Sequence, residues 1–316
     1  MAEVSVTPTP GDFNIGIADS PPALRTARLQ RTLKDAVWEL WRNRLATVGA
    51  AMILILLLVA ILAPLIATHD PVRQNYREML QPPSAAHYFG TDKFGRDIFS
   101  RIVWGCQRSM TIAVLAVIAG TLGGVPLGTI SGYYGGRLDT ILMRVVDAWF
   151  AFPGILFYLL AATIIRAYEL SVFWSTVGLI LALGVARVPS MARLVRGSML
   201  AEREKEYVEA SHATGESDLY IAFRQILPHC VSPVTVQATI ALGFELLTIA
   251  SLSFLGLGAP PPTPDWGADL NLAREHMETR PYLAVFPGLA ISFAVLAFNL
   301  VGDGLRDILD PQTADR

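Results

Sequence analysis

The stretch 206-EYVEASHATGESDLYIAFRQILP-228 carries four acidic residues, one arginine, the glycine Gly215 and the proline Pro228, in a chain otherwise built for lipid. Residues 202–214, which run into this stretch, are rich in helix formers, and Gly215 supplies a stop that tolerates positive φ. Ala210, Ser211, Ala213 and Thr214 are small, so this helix can press closely on a partner surface. Past Gly215, Ser217 is placed to cap a second helix through its hydroxyl. Leu219, Ala222 or Phe223, and Ile226 then recur at helical spacing and predict one apolar face, closed by Pro228. The expected object is a helix–glycine–helix elbow. The residues alone leave a solvated connecting loop equally open.

The surroundings explain why such an elbow stands out. Of 316 residues 53% are hydrophobic and 16% charged, against about 25% charge in soluble domains. Five runs, 45–69, 109–136, 148–165, 170–186 and 281–302, contain no Asp, Glu, Lys or Arg, and 225–264 is interrupted only by Glu245. A helix needs about 20 apolar residues to cross a bilayer, so six crossings are expected, with 225–264 giving one helix plus a dipping or re-entrant end. Six crossings place both termini on one side. With that side cytoplasmic, the loops inside hold sixteen Lys and Arg and those outside nine, which the positive-inside rule favours. The elbow then lies in the cytoplasm, within a loop spanning 187–224. The polar, basic residues 1–44 read as a cytoplasmic tail before an uncleaved first span.

Several chemistries are excluded or unsupported. A net charge of −2 argues against nucleic acid as the partner. Cys106 and Cys230 lie in no CxxC or His-rich cluster and read as apolar fillers. The lysines, Lys34, Lys93 and Lys205, follow no glycine, so the chain has no P-loop for ATP. The five histidines are dispersed and no Ser/His/Asp set emerges, so no catalytic residue, resident metal or cofactor is expected.

Other motifs admit two readings each. Gly120, Gly124, Gly128 and Gly132 form a small-residue stripe, for tight helix packing or for a contact that slides. Thr91-Asp92 and Gly95-Arg96-Asp97 precede the amphipathic IFSRIVWGCQRSM, as a rigid turn or as a platform for an external protein. Pro260 to Asp265 is a stiff outer loop or an external gate, with Trp266 suited to the membrane interface. Glu245 is a translocation-pathway candidate or a paired structural acid. Arg144 and Asp147, three apart, are expected to pair.

Glu209-Ala210-Ser211, three residues, Gly215, and then Ile226-Leu227-Pro228 resembles the EAA signature of bacterial ABC importer permeases. Ser211 replaces an alanine of that pattern, and Gln225 stands where isoleucine is usual. FGTDKFGRDIFSR (89–101), GYYGGRLDTILMRVVD (132–147), LSFLGLGAPPPTPDWG (252–267) and FPGLAISFAVLAFNLVGDGLRDILDP (286–311) extend the resemblance to the dipeptide/oligopeptide (peptide/nickel) family, C-type subunit, over most of residues 35–311. The resemblance implies an all-α polytopic fold of the type I importer class. It divides the chain into a cytoplasmic tail (1–34), a first transmembrane helix with an outer segment (35–107), a permease core with the EAA loop (108–304), and a C-terminal tail (305–316). It further implies a non-catalytic subunit of an importer in the bacterial inner membrane. Its partners would be a second permease, two ATPases that hold the ATP and Mg²⁺, and an external substrate-binding protein. Glu209 would then be a polar contact to the ATPase, Ala210 and Ser211 the close-packed surface, Gly215 the bend, and Ile226, Leu227 and Pro228 the end of the coupling elbow. Dipeptides or longer peptides are the expected cargo, with glutathione or a nickel complex as alternatives. The rival class, an ion-coupled secondary transporter, would want ionisable residues or broken helices near the midplane.

Overall fold

The computed structural model describes residues 43–309 apart from residue 259; the expected N-terminal tail and most of the C-terminal tail lie outside these. Among the described residues the architecture is all-helical, apart from one isolated antiparallel bridge between Thr91 and Asp97. Helix α1 (Arg44–Ile61) begins where the Asn43 side chain accepts from the backbone of Leu45 and Ala46, and one turn, α2 (Ala63–Ile66), follows it. An irregular segment leads to α3 (Ile98–Tyr134), capped by Asp97 and stopped at Gly135, whose φ is +63°. Then come α4 (Gly136–Phe150), α5 (Gly154–Ala167) and α6 (Val172–Glu202). The elbow follows, and after it α9 (Val231–Phe254), the short α10 (Trp266–Ala273) and α11 (Tyr282–Leu309).

Among the described residues five helices are long and apolar enough to cross a membrane, or up to six when α4 and α5, bent by 77° at their break, count as one span. The crossing expected at 148–165 is thus divided between two helices. Pro153 lacks an N–H to continue the helix from α4, and it starts α5 instead at φ −59°. A correction concerns length. At 1.5 Å per residue, the 37 residues of α3 extend about 55 Å, so the amphipathic IFSRIVWGCQRSM, expected ahead of the second span, is the first part of that same helix. Likewise α6 does not end at residue 186 but runs on to Glu202, taking Arg187, Arg193 and Arg196 out of the expected loop and onto a helix.

The core explains the glycine stripe. α3 and α6 run against each other so closely that a Cβ on Gly124 would stand 2.5 Å from Met191 Cβ, one on Gly128 2.5 Å from Ala192 O, and one on Gly132 2.6 Å from Met199 Cβ. Only glycine lets the two backbones approach this far. Around this pair, Leu56, Met110, Leu183, Leu246, Ile249, Ile291 and Phe298 fill the space between α1, α3, α6, α9 and α11. Leu122, Phe173, Trp174 and Leu289 point outward, as a lipid solvent permits. α3 thus links two ends of the bundle: the irregular segment and α10 at its start, and the elbow at its finish.

Candidate functional site

The elbow is built from α7 (Glu206–Ala213), a bend at Gly215, α8 (Asp218–Tyr220), a π-turn over Ile221–Ile226 and a 3₁₀ turn over Leu227–Cys230 that runs into α9. Gly215 has φ +80°, and its N–H donates to His212 O at 3.1 Å while Glu216 N–H donates to Ser211 O at 3.2 Å. That pair of reversed bonds closes the helix end, and it requires a residue at ease with positive φ. The bend expected at Gly215 is where the structure puts it.

Two expectations about the second arm need correction. Ser217 makes no side-chain cap; α8 starts with its backbone, Ile221 N–H donating to Ser217 O at 3.0 Å. Pro228 does not end the arm, because its missing N–H falls at the start of a fresh 3₁₀ turn where no intrahelical bond is lost. The π-turn also shifts the apolar face. Ile221, Ala222, Ile226 and Cys230 are buried, whereas Leu219 is 61% exposed.

The buried face seats the elbow on the ends of α3 and α6. Val208, Ile221, Ala222, Ile226 and Cys230 pack with Tyr133, Met191, Val195 and Met199. Polar ties reinforce the seat: Tyr133 Oη donates to Asp218 Oδ1 at 3.0 Å, and Arg203 donates to the carbonyls of Gly132 and Tyr133 at 3.2 and 3.1 Å. Tyr207 Oη donates to Glu202 at 3.1 Å; burial, and then that carboxylate, push its phenol up to about 12. Ser211 is half-buried, its Oγ 2.7 Å from Gln225 Oε1 and 3.0 Å from Tyr207 O. The Gln225 amide nitrogen, Nε2, donates in turn to Glu216. The two residues that depart from the family pattern therefore meet, joining the arms across the bend.

The opposite face is open. Glu206, Glu209, Ala210, His212, Ala213, Gly215, Glu216, Leu219, Tyr220 and Pro228 are exposed, and Leu227 is half-buried. A Cβ on Gly215 would meet nothing within 4 Å. Exposed acids flank two exposed apolar side chains, Leu219 and Tyr220. Sequence periodicity missed these two because it took a 3.6-residue repeat through a π-turn.

Glu245 lies elsewhere. It is 1% exposed within α9, and its Oε1 accepts from Arg187 Nη2 at 2.8 Å and Nε at 3.0 Å, whereas Oε2 has no partner among the described residues. Arg187 was not recognised as a partner because the charge-free run in the sequence ends one residue before it. The expected Arg144–Asp147 pair is replaced as well: Asp147 accepts from Arg193 of α6 at 2.8 Å, and Asp139 pairs with Arg196 at 2.5 Å. Arginines one or two turns apart on α6 thus tie it to α9 and to α4.

At the far end of α3 the charges are buried. Arg101, 2% exposed, donates to Asp269 at 2.5 Å and to the carbonyls of Pro71 and Pro262 at 3.0 and 3.1 Å. Asp92 accepts from the N–H groups of Phe94 and Arg96 and from Arg96 Nε at 2.6 Å. Asp265 caps α10. Trp266, expected at the membrane interface, is 2% exposed instead, its indole donating to Ile102 O at 2.9 Å. Gly105 makes this possible, since a Cβ there would stand 2.7 Å from the indole.

This architecture has relatives. A model of the binding-protein-dependent transport system inner membrane component matches residues 124–315, and one of the N-terminal TM domain of oligopeptide transport permease C matches residues 32–83. The chain is 40% identical over 294 residues to the dipeptide transport system permease protein DppC of Alkalihalophilus pseudofirmus, covering 93% of this chain and 94% of that one. It is 40% identical over 292 residues to the glutathione transport system permease protein GsiD of Pectobacterium atrosepticum, covering 92% and 95%. Identity is 42% over 289 residues to DppC of Haemophilus influenzae, covering 88% and 96%. Its fold is similar to a chain of the inward-facing MetNI methionine ABC transporter, with a TM-score of 0.54 at 19% identity over 66% of this chain and 96% of that one. With helices for up to six crossings, a type I importer fold and matches over most of its length, the chain belongs to the binding-protein-dependent transport system inner membrane components, the multi-pass permeases of ABC importers.

Proposed function

We propose that this permease moves dipeptides or other short peptides into the cell, with glutathione as the second reading. The dipeptide and glutathione permeases among its relatives support the two about equally, at 40% identity each. The observation that carries the mechanism is the elbow: one face is anchored on α3 and α6, and the other is exposed among the described residues. In this reading Glu209, Ala210, Leu219 and Tyr220 meet a groove on an ATPase subunit, Gly215 keeps the bend, and Ser211, Ile226, Leu227 and Pro228 hold the arms in register. The elbow faces the cytoplasm, as do both termini, in the bacterial inner membrane. ATP and Mg²⁺ are held by two partner ATPases, and this chain has no catalytic part in hydrolysis. A second permease completes the pathway, and an external binding protein delivers the cargo.

Closing of the ATPases would move the elbows, and the glycine-packed α3–α6 pair carries that motion as one rigid unit between an inward and an outward opening. Glu245 enters the pathway in this account through Arg187, as a latch between α6 and α9. Uptake of labelled dipeptide and glutathione by cells carrying Glu209→Lys or Gly215→Leu tests the reading. Both variants should insert normally and lose uptake. Wild-type uptake by both would refute the coupling role, and uptake of neither cargo by the wild type would refute the substrate class.

A further inference from the structure

Three polar side chains near the start of α3 converge in a way that transport coupling does not use. His69, from the turn after α2, His87, from the irregular segment, and Asp97, the cap of α3, bring one ligand atom each to within 4.8 Å of one another. The convergence is specific to one atom. His87 Nδ1 lies 2.9 Å and His69 Nδ1 3.9 Å from the same carboxylate oxygen, Asp97 Oδ1. The two imidazole rings lie one over the other at 4.6 Å between centroids, tilted by 33°. Donors bonded to one tetrahedral ion at about 2.0–2.1 Å stand about 3.3 Å apart. The distances to the shared oxygen straddle that value.

The groups behind these atoms are placed as a metal site requires. Asp97 turns its other oxygen, Oδ2, to Ser100 N at 2.8 Å and Ser100 Oγ at 2.6 Å, which fixes the carboxylate and leaves Oδ1 for a cation. The far nitrogen of His87, Nε2, sits 3.5 Å from Glu78 Oε2. With an ion on Nδ1 the ring proton is on Nε2, beside that carboxylate. The backbone of His69 is pinned by its N–H donating to Ser100 Oγ at 3.0 Å. Asp97 and His87 are buried, and His69 is partly exposed, so one side admits an ion and a fourth ligand from water. One local contact must yield: Thr68 Oγ1, 3.0 Å from His69 Nδ1, can turn its hydrogen to Asp97 Oδ2 at 3.4 Å.

We propose that His69, His87 and Asp97 form a binding site for a divalent transition ion of borderline softness such as Zn²⁺. Two imidazoles and one carboxylate suit this class, whereas Mg²⁺ and Ca²⁺ prefer all-oxygen sites. The ion replaces the proton shared by His87 and Asp97, and it ties the turn after α2 and the irregular segment to the first turn of α3. It stiffens the end of the bundle remote from the elbow. The site is independent of the coupling reading.

Zn²⁺ titration of the full chain, purified in mild detergent without a histidine tag, tests this by calorimetry and thermal unfolding. One Zn²⁺ per chain should bind and raise the unfolding temperature. His69→Ala should weaken binding by about tenfold or more, and it touches the least buried member, so the fold should survive. His87→Gln should do the same, and its apo unfolding temperature reports whether it folds. His276→Ala, at a half-buried position distant in sequence, should bind as the wild type does. Absence of Zn²⁺ binding by the wild type, or equal affinity in His69→Ala, would overturn the site. A response of stability to pH but not to Zn²⁺ would reduce it to a hydrogen-bonded triad and overturn it too.

Discussion

The two ends of α3 use charge in opposite ways. At its start, Arg96, Asp97, Arg101 and Asp269 are turned inward and answered by partners of the same chain. At its finish, Glu206, Glu209 and Glu216 stand exposed around Leu219 and Tyr220. Both stretches look polar in sequence, yet the first is a structural cap and the second a surface left for something else. Polar residues between membrane spans thus divide by whether their partners lie within the chain. Removing a charge from the cap should cost stability, and changing the elbow should cost function with little loss of stability.

The largest effect on stability is expected at the cap. Arg101→Ala leaves Asp269 buried without its ion partner and should destabilise by about 3–5 kcal/mol, read from thermal unfolding in detergent. Burial already holds the Asp269 carboxyl above its usual range, with Arg101 pulling it back. In the variant the folded carboxyl rises further above the unfolded value of about 3.9. Between these values the folded state binds more protons, so the deficit should shrink as pH falls through the folded pKa. A deficit that grew on acidification would break the assignment.

Between the ends, Gly128→Leu should destabilise by about 1–3 kcal/mol or more, because its Cβ would stand 2.5 Å from Ala192 O and 2.7 Å from Val195 Cβ. Uptake should fall with it, as expected of a contact proposed to carry the elbow's motion. At the elbow, Ser211→Ala should cost about 1 kcal/mol through the lost bond to Gln225. Combined with Gln225→Ile, which restores the family pattern at both positions, the total should be less than the sum of the singles. Full additivity would separate the two departures. The smallest effect belongs to the exposed Lys93–Glu275 pair at 2.9 Å: Lys93→Met should leave the unfolding temperature unchanged within error.

The same contrast marks what the sequence made legible. Runs without charge marked the crossings, four-residue glycine spacing marked α3 as a helix that another backbone can approach, and Gly215 marked the bend, because each depends on local composition. What it hid depends on partners far along the chain. Arg187 meets Glu245 across 58 positions and Trp266 meets Ile102 across 164, and neither distance leaves a periodic trace. His69, His87 and Asp97 looked dispersed because the segment that gathers them has no regular period. Leu219 differs for another reason: the π-turn after it adds a residue to one helical turn, so a periodicity of 3.6 places Ala222 and Ile226 inward but not Leu219. The Ser211–Gln225 bond came from two residues that looked, one at a time, like defects in a motif.

The exposed face of the elbow is proposed as the seat of an ATPase. Co-purification of the native ATPase subunits with the full chain in mild detergent tests it most directly, comparing wild type with Gly215→Trp. The wild type should carry its ATPases through purification, and the variant should be recovered from the membrane in equal amount without them. Recovery of the ATPases in equal ratio with both chains, or with neither, would contradict the account.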